Sequence, residues 1–312
     1  MTGDAQSPEA RLGAETYARR IAIEQFRDAE FRRIVTTKGT FLKVHVLRPV
    51  ERAILRCLGL WEKGRRELLE TVVRENDVCL GDALPAAFDG FRILHLSDLH
   101  IDIDEALVDA ISRAVAPLDY NLCVMTGDYR SMTIGPSDQA LALMERLRPA
   151  FKTDVLCVLG NHDFAEMVPR LESAGYRVLL NEGVVLRRGG AALYVAGIDD
   201  PVIFETHDIA KALSGAPAGC AKILLSHSAR VWEEAGEAGV SLLLAGHTHG
   251  GQICLPGGWM LLCNDLMPRR CQKGAWRLGD VLGYVSSGCG ASGLACRLNC
   301  PAEVVVHTLR CA

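Results

Sequence analysis

The chain has 312 residues, of which 49% are apolar and 23% charged, and its formal net charge at pH 7 is −4. These proportions are typical of soluble globular proteins, exclude a disordered chain, and leave enough apolar side chains for one large core. The apolar stretches are far shorter than the roughly 18 residues of a membrane-spanning helix. The first residues lack the basic and apolar regions of a signal peptide, so the sequence predicts a cytoplasmic protein.

Positive charge is concentrated near the N-terminus. Ten basic residues oppose only Glu51 and Glu62 between residues 32 and 66, so this stretch carries +8 and the remainder of the chain −12. The basic residues are Arg32, Arg33, Lys38, Lys43, Arg48, Arg52, Arg56, Lys63, Arg65 and Arg66. Such a stretch predicts an acidic partner, either nucleic acid or an anionic membrane surface.

Residues 1–83 are predicted to form a helical, basic N-terminal extension. From Val50 onward, apolar residues recur at helical spacing and basic residues fall largely between them. The apolar positions are Val50, Ile54, Cys57, Leu58, Trp61, Leu68, Leu69 and Val72. A basic amphipathic helix with a Trp can lie in a membrane interface. Its apolar face can equally pack against the rest of the protein, and both interpretations are open at this point.

From residue 91, short apolar runs alternate with helical segments. The runs cover residues 92–96, 122–125, 155–159, 192–196, 223–225 and 242–244, and the helical segments cover residues 105–115, 139–147 and 164–174. This alternation predicts an α/β fold whose sheet is buried on both faces. The pattern after residue 250 is richer in strands and loops. No linker interrupts it, so residues 84–312 are predicted to be one domain.

Polar clusters stand at the carboxyl ends of these runs. The clusters are Asp98-Leu99-His100, Gly127-Asp128, Gly160-Asn161-His162-Asp163, Ser226-His227 and Gly246-His247-Thr248-His249-Gly250. Loops at the carboxyl ends of strands build the ligand site of open α/β sheets. The sequence therefore predicts that these Asp, Asn and His side chains meet in one crevice.

The residue types in this crevice indicate metal ions. Imidazole together with carboxylate favours Zn, Fe or Mn, whereas Mg or Ca would use oxygen ligands alone. Two carboxylates, one Asn and four or five histidines are too many ligands for one ion and suit two, provided that one carboxylate bridges them. Two ions roughly 3.5–4 Å apart can bind a phosphoryl oxygen and turn a bridging water into a nucleophile near neutral pH.

In this order, the motifs resemble the calcineurin-like metallophosphoesterases. The resemblance extends over residues 84 to 310 and is most detailed for a bacterial phosphodiesterase branch with Gly-His-Thr-His-Gly-Gly-Gln, present here at residues 246–252. Residues 84–90 and 293–303 also resemble that branch. It includes membrane-associated enzymes, and some relatives cleave the pyrophosphate of UDP-2,3-diacylglucosamine. The implied fold is a four-layer α/β/β/α sandwich with an N-terminal helical extension.

The resemblance also implies a role for each motif residue. Seven would be metal ligands: Asp98, His100 and His249 for the first ion, Asn161, His227 and His247 for the second, and Asp128 bridging both. The nucleophile would be a hydroxide between the metals. His162 would contact the phosphate and protonate the leaving group. Asp163 would orient His162, as carboxylates often do for imidazole.

This chain departs from the family pattern in three places. Many relatives carry Gly-Asp-x-x-Asp, whereas residues 127–131 read Gly-Asp-Tyr-Arg-Ser. Asp163 stands where the protein Ser/Thr phosphatases carry Glu, and Phe164 follows it instead of Arg, so protein phosphatase activity is not expected. Arg130 and Arg297 lie near the predicted site loops and either hold a second phosphate or are solvated at the surface.

Several other polar residues receive interpretations without a metal. His95, inside the first strand, is predicted either to be simply buried or to lie behind a metal ligand, and Asp199-Asp200 either shape the pocket or form a turn. No role is assigned to His45, His207 and His307. Seven of the twelve cysteines lie near the C-terminus: Cys254, Cys263, Cys271, Cys289, Cys296, Cys300 and Cys311. They include no C-x-x-C pair and match no zinc template, which favours reduced, buried thiols over a structural zinc site.

The resulting hypothesis is a phosphodiesterase or pyrophosphatase with two divalent ions, Mn favoured over Fe and Zn. Residues 32–66 would attach it to the inner face of the cell membrane, and a UDP-linked acylated sugar is the first candidate substrate. The alternatives are a soluble phosphodiesterase, a nuclease and a catalytically silent metal-binding scaffold. A nuclease is disfavoured because few aromatic residues accompany the basic stretch. A silent scaffold is disfavoured because the ligand set is complete. No protein partner is inferred.

Overall fold

The computed structural model describes residues 6–35, 48–260 and 265–311, with the backbone alone for residues 30–35 and 48. Part of the basic stretch falls outside the described side chains, namely Arg32, Arg33, Lys38, Lys43 and Arg48. His45 and Cys263 also lie outside the described residues.

The described helices, in chain order, are α1 (Pro8–Leu12), α2 (Ala14–Val35), α3 (Arg48–Cys57), α4 (Trp61–Leu69), α5 (Ala106–Val115), α6 (Asp138–Leu147), α7 (Val168–Ser173), α8 (Ile209–Leu213) and α9 (Trp232–Glu237). The strands are β1 (Val72–Cys79), β2 (Arg92–Leu96), β3 (Leu122–Met125), β4 (Val155–Cys157), β5 (Tyr176–Val178), β6 (Glu182–Arg188), β7 (Ala191–Gly197), β8 (Ala221–Leu225), β9 (Leu242–Ala245), β10 (Cys254–Leu255), β11 (Trp259–Met260), β12 (Gly274–Leu278), β13 (Val281–Val285) and β14 (Glu303–Arg310). Each predicted run and helical segment coincides with one of these elements to within a few residues.

The strands form two six-stranded sheets and one hairpin within the described ranges. The first sheet has the order β1-β14-β2-β3-β4-β5, the second β12-β13-β9-β8-β7-β6, and the hairpin is β10-β11. Strands β2 to β5 run parallel, as do β7, β8, β9 and β13. Parallel order brings the carboxyl ends of neighbouring strands to one edge, where the polar loops begin.

Three apolar clusters show how the layers stack. Alternate residues of β2 point to opposite sides: Ile93 packs between the two sheets, while Leu94 faces the cluster shared with α5 and α6. The outer face of the second sheet packs against α8 and α9. The predicted mixed α/β fold is confirmed, and its layers are helix, sheet, sheet, helix. Strands buried on both faces need continuous apolar runs, which is the pattern in the sequence.

The N-terminal region differs from the helical expectation in two ways. Val72–Cys79 form strand β1, which pairs in parallel with β14 at the edge of the first sheet. The helix expected from Val50 is interrupted at Gly59, whose φ of 68° lies in the left-handed region that favours glycine, so α3 and α4 are separate helices. The division into a 1–83 extension and an 84–312 domain stays a prediction. No helix in the described ranges is long and apolar enough to cross a membrane.

Candidate metal centre

Five loops converge at the carboxyl ends of β2, β3, β4, β8 and β9, and the backbone of three of them is strained. In these loops φ is positive at five of the seven predicted ligands, namely Asp98 (49°), His100 (37°), Asp128 (59°), His247 (72°) and His249 (52°). Such conformations are unfavourable for residues with a Cβ and persist where the surrounding structure holds them, typically at functional sites. All five residues belong to the predicted ligand set.

The first group of ligand atoms comes from the loops after β2, β3 and β9. One ligand atom each from Asp98, His100, Asp128 and His249 lies within 4.8 Å of all the others. His100 Nε2 is 3.1 Å from His249 Nε2, and His249 Nε2 is 3.4 Å from Asp98 Oδ1. Asp98, His100 and Asp128 are almost completely buried. This is the set of side chains expected around the first ion, together with the expected bridging carboxylate.

The second group comes from the loops after β4, β8 and β9. His227 Nε2 lies 2.9 Å from Asn161 Oδ1 and 3.2 Å from His247 Nδ1. Asp128 Oδ2 stands between the two groups, 3.6 Å from His100 Nε2 and 3.4 Å from His227 Nε2. The structure therefore brings together all seven predicted ligands and places the expected bridging oxygen between them.

The distances and ring orientations fit metal ions. Ligands bound at about 2.0–2.1 Å to one ion stand roughly 2.8–3.4 Å apart, close to the separations found here. His100 Nδ1 is 2.7 Å from the carbonyl oxygen of Arg130, and His227 Nδ1 is 2.8 Å from that of Thr126. A carbonyl can only accept a hydrogen bond, so it assigns the proton to Nδ1 and turns the Nε2 lone pair of the neutral ring inward.

Burial and charge prepare these groups for a cation. Burial, with the neighbouring His162, lowers the pKa of His100 to about 4, and burial with His227 lowers the pKa of His247 to about 4. Burial alone would lower the pKa of His227, but Asp128 raises it to about 10. Burial would raise the pKa of Asp128, yet His162 and His227 hold it well below its ordinary range. A cation bound at His227 would therefore displace a proton, as metal ligation commonly does.

Two glycines allow the loops to approach each other closely. A Cβ at Gly246 would overlap Ser97 Oγ and Asp98 Oδ2, and one at Gly160 would overlap Asp128 Oδ1. These motif glycines thus leave space for the carboxylates of the two ligand groups. The glycine pattern is explained by this close packing of backbone against side chain.

His162 lies beside the ligands without joining either group. Its Nε2 is 3.7 Å from Asp128 Oδ2, and its Nδ1 is 3.0 Å from the carbonyl oxygen of Ser131. In place of the expected contact with this imidazole, Asp163 accepts main-chain N–H bonds from Asp128 (2.7 Å), Tyr129 (2.9 Å) and Gly160 (2.9 Å). The carboxylate oxygens of Asp163 are engaged by these amides, so Asp163 shapes the two loops while Ser131 holds the ring.

The two arginines near the site are buried, so the interpretation that they are solvated surface cations is wrong. Arg297 is 0% exposed, and all three of its side-chain nitrogens donate to main-chain carbonyls, including those of Gly290 and Ser287 at 2.6 Å. It therefore shapes the loop that follows β13. Arg130 is 1% exposed and donates to the carbonyls of His162 and Gly135, while its Nη2 has no hydrogen-bond partner among the described residues.

The other polar residues are structural. Asp200 accepts N–H bonds from residues 202–204, which is the turn-forming alternative. His95 is buried as predicted, and its Nδ1 lies 3.3 Å from Nε2 of His307, which received no role from the sequence. His207 pairs with Glu234 at the surface. No metal-binding group of cysteines occurs in the described part of the chain, and the cysteines described there are free thiols.

Sequence reasoning missed Arg20 of α2. This side chain is 0% exposed, and its Nη1 donates to Asp199 Oδ1 at 2.6 Å, which accounts for the buried Asp199. A buried arginine on a long polar helix leaves no local signal, because the pattern around it is that of a solvent-facing helix.

The comparison with known families agrees with this geometry. The family described as calcineurin-like phosphoesterase matches residues 91–251, slightly more than half of the chain. This chain belongs to that family. It is accordingly a phosphoester hydrolase from a metal-dependent family.

Individual relatives align over most of the chain. The metallophosphoesterase YkoQ of Bacillus subtilis (strain 168) is 27% identical over 269 residues, which cover 82% of this chain and 97% of YkoQ. YkuE of the same organism is 28% identical over 242 residues, which cover 73% of this chain and 82% of YkuE. The phosphodiesterase YaeI of Escherichia coli (strain K12) is 27% identical over 236 residues, which cover 70% of this chain and 82% of YaeI.

Proposed function

We propose that this chain hydrolyses a phosphodiester or pyrophosphate bond with two divalent metal ions. The observation that carries the proposal is the position of Asp128 Oδ2 between His100 Nε2 and His227 Nε2, at 3.6 Å and 3.4 Å. A carboxylate shared by two imidazole groups suits a pair of ions better than a single one. The ions would be held by Asp98, His100 and His249 on one side, by Asn161, His227 and His247 on the other, and by Asp128 between them.

When bound, two such ions would activate a water near neutral pH and neutralise charge on the phosphoryl oxygens. The chain itself fixes the direction of its ligands through the carbonyls of Arg130 and Thr126. It also supplies negative charge in a buried pocket through Asp98 and Asp128. Mn, Fe and Zn share these ligands, and Mn is the ion we use for a first assay.

His162 is proposed to donate the proton to the leaving oxygen. Its side chain is 13% exposed and its Nε2 lies 3.7 Å from Asp128 Oδ2 without belonging to either ligand group, so a substrate bound beside Asp128 can reach it. Burial lowers the pKa of His162 despite the nearby Asp128. The protonated ring therefore depends on the added negative charge of a bound phosphoester, which favours the imidazolium form. Arg130, with its unpartnered Nη2, is the better candidate of the two arginines for a second phosphate group.

An apolar groove beside the metal centre supports an amphiphilic substrate. The groove has a volume of about 440 Å³ and is lined chiefly by Ile54, Leu55, Ile253 and Leu294. One wall continues directly from the metal-binding loop, because the N–H of Gln252 donates to the carbonyl oxygen of His249 at 3.0 Å. A substrate with a phosphoester at the metals and an acyl chain in the groove would use both features. A UDP-linked acylated sugar has this chemistry.

The outer face of α3 supports attachment to an anionic membrane. Val50 and Ile54 on α3 and Leu58 directly after it are 45%, 53% and 64% exposed. Trp61, expected on the same face, is instead buried, with the guanidinium of Arg52 4.7 Å from the centre of its ring. Exposed aliphatic side chains beside basic residues are the pattern of a helix that lies in a membrane interface, where each basic residue contributes about 1 kcal/mol.

The hydrolase proposal is tested by a substrate panel with Mn. The panel holds a generic diester, a generic monoester, a cyclic nucleotide and a UDP-linked acylated sugar, each assayed with and without a chelator. We expect turnover of the diester or the pyrophosphate, loss of turnover with the chelator, and about two ions per chain by elemental analysis. An active preparation with one ion or none contradicts the two-ion proposal. Two bound ions without turnover of any substrate would indicate the silent scaffold.

The membrane proposal is tested by co-sedimentation with vesicles of phosphatidylcholine alone or with phosphatidylglycerol, at low and high salt. We expect binding to the anionic vesicles that weakens with salt, and its loss in the Ile54→Glu variant. Phe26→Glu is the matched control, since Phe26 is 66% exposed on α2. Binding to neither kind of vesicle would leave the protein among the soluble phosphodiesterases, and equal binding to both would contradict attachment through the basic residues.

A further inference from the structure

Helix α2 presents a row of charged side chains to the loops of the metal centre. Arg20, Glu24 and Asp28 are spaced four residues apart and therefore lie on one face of the helix. Arg20 is 0% and Glu24 6% exposed. Charged side chains are seldom buried to this degree without specific partners. We call these three residues the α2 clamp.

The residues of the α2 clamp together bind three loops. Arg20 Nη2 donates to the carbonyl oxygen of Asp163 at 2.8 Å, and Glu24 Oε1 accepts the N–H of Ala165 at 2.9 Å, so the loop carrying His162 is held by two bonds. Asp28 Oδ1 accepts the N–H of Gly135 at 3.2 Å. Arg20 Nη1 reaches Asp199 in the loop after β7.

Arg20 is further fixed by its own surroundings. Its Nε is 3.1 Å from Glu24 Oε1, an ion pair without hydrogen-bond geometry, and its guanidinium stacks 4.1 Å above the ring centre of Phe204. Asp199 in turn accepts the hydroxyl hydrogen of Thr206 at 2.6 Å. The guanidinium is thus held in one orientation by a ring and two carboxylates.

The bonds of the α2 clamp continue to the reacting groups. Arg20 holds the main chain of Asp163, whose carboxylate accepts the N–H of Asp128 and whose backbone adjoins His162. Asp28 holds Gly135, whose carbonyl accepts from Arg130, and Arg130 donates to the carbonyl of His162. Two separate chains of bonds therefore end at the main chain of residues 162 and 163.

We propose that Arg20, Glu24 and Asp28 are positioning residues, which make α2 part of the catalytic unit by holding His162 in line with the leaving group. The inference rests on the proposed role of His162 in hydrolysis. It assigns a function to a helix that lies outside the family match at residues 91–251. A misplacement of about 1 Å in a catalytic group can cost on the order of 10²-fold in rate.

The test compares Arg20→Met with Arg19→Ala, a control on the same helix whose side chain is 56% exposed. Arg20→Met should retain its metal content and lose about 10- to 10²-fold in kcat with little change in KM. The loss should be larger for alkyl than for p-nitrophenyl leaving groups, because only the former need a proton. In the Arg20→Met/His162→Ala double variant the two losses should not add, since both act through the same imidazole.

Arg20→Lys should recover part of the rate. If Arg20→Met does not fold, Glu24→Gln is the substitute variant, because its amide oxygen can still accept the N–H of Ala165. Equal losses for both leaving groups, with full additivity in the double variant, would overturn the proposal and make α2 a structural cover.

A readout without turnover separates this inference from the proposed function. Amide hydrogen exchange of residues 160–167 should be about tenfold faster in Arg20→Met than in Arg19→Ala, since the bonds to residues 163 and 165 are weakened. If the wild-type chain hydrolyses nothing while this exchange still rises, the proposed function fails and the α2 clamp stands. Unchanged exchange would overturn the clamp whether or not the chain is active.

Discussion

At the scale of single residues, the metal centre needs a glycine at position 246 as well as its seven ligands. Gly246 has no side chain where Asp98 Oδ2 and Ser97 Oγ lie, and the N–H of His247 donates to Asp98 at 3.1 Å. The glycine therefore lets the last loop bring two histidines to a carboxylate from the first. A methyl group at position 246 would overlap the carboxylate of Asp98, which is a predicted metal ligand.

We expect Gly246→Ala to lower metal occupancy, because the new Cβ would displace Asp98 from the first ligand group. Elemental analysis should show a loss of about one ion per chain, with a fall in activity to match. Gly190→Ala is a control for the added methyl group, since nothing lies within 4 Å of a Cβ there, although φ is positive at Gly190 and not at Gly246. Full occupancy in Gly246→Ala would mean that the loops yield to the methyl group.

The roles of His162 and Asp128 are separable by substitution. His162→Ala should leave metal content nearly unchanged and lower kcat on the order of 10²–10⁴-fold, the usual contribution of a general acid. Asp128→Ala should reduce metal content, because the carboxylate oxygen lies between both ligand groups. Kinetics and elemental analysis on the same preparations decide the matter. The reverse pattern would exchange the two assigned roles.

At the scale of elements, four neighbouring segments of the first sheet are joined by a buried polar chain. His95 on β2 lies 2.9 Å from the hydroxyl of Thr126 and 3.3 Å from His307 on β14, which lies 3.0 Å from Asn76 on β1. The ring of Tyr284, from the second sheet, packs edge-on against His307. The imidazoles of His95 and His307 need to be neutral here, since a charge on either would be enclosed between two sheets.

Burial lowers the pKa of His95 to about 3. The unfolded chain, with a His pKa near 6.5, binds more protons than the folded one between pH 3 and 6.5, so the free energy of unfolding falls as the pH falls through this window. At pH 4 the loss from His95 is about 3 kcal/mol.

In the presence of a chelator, His95→Leu should therefore flatten the dependence of the unfolding free energy on pH between 6 and 4. Denaturant titrations at several pH values measure it. Leu94→Ala, on the same strand, should lower stability equally at every pH. If His95→Leu behaves in the same way, His95 is not the group that titrates.

The sequence predicts elements whose signal is local and misses those whose signal comes from a distant partner. Strand β2 and the His100 loop carry their own pattern of apolar run and polar end. Strand β1 contains Arg-Glu-Asn-Asp, which has no strand signal, and it is a strand because β14 lies beside it. Arg20 is similar. A charged residue on a polar helix predicts a solvent-exposed side chain, and Arg20 is buried because the fold places Asp199 beside it.

At the scale of the whole molecule, the metal centre joins the two sheets. The first ligand group draws on loops of both sheets, and so does the second, which makes bound ions a link between the halves of the sandwich. A ligand that binds only the folded state stabilises it by about 2.7 kcal/mol at a hundredfold excess over its dissociation constant.

Metal removal should therefore lower the melting temperature. At roughly 2.1 cal/mol/K of unfolding entropy per residue, we expect a drop of about 4 °C for each ion lost when a chelator is added to the Mn-loaded protein, read by circular dichroism. The Asp128→Ala variant is the control, and its melting temperature should respond little to Mn or chelator. A wild-type melting temperature independent of Mn would mean that the ions do not connect the sheets energetically.

The position of β14 between β1 and β2 has a consequence for synthesis on the ribosome. Asn76 on β1 and His307 on β14 are hydrogen-bonded although they lie 231 positions apart in the sequence. At 5–20 residues per second, β1 and one edge of β2 wait roughly 10–50 s for the strand that joins them. During that time two unpaired strand edges are open to other nascent chains, and such edges favour aggregation. Slower initiation, which spaces nascent chains apart, should raise the soluble yield of the full chain more than it would for a fold whose strands pair in order.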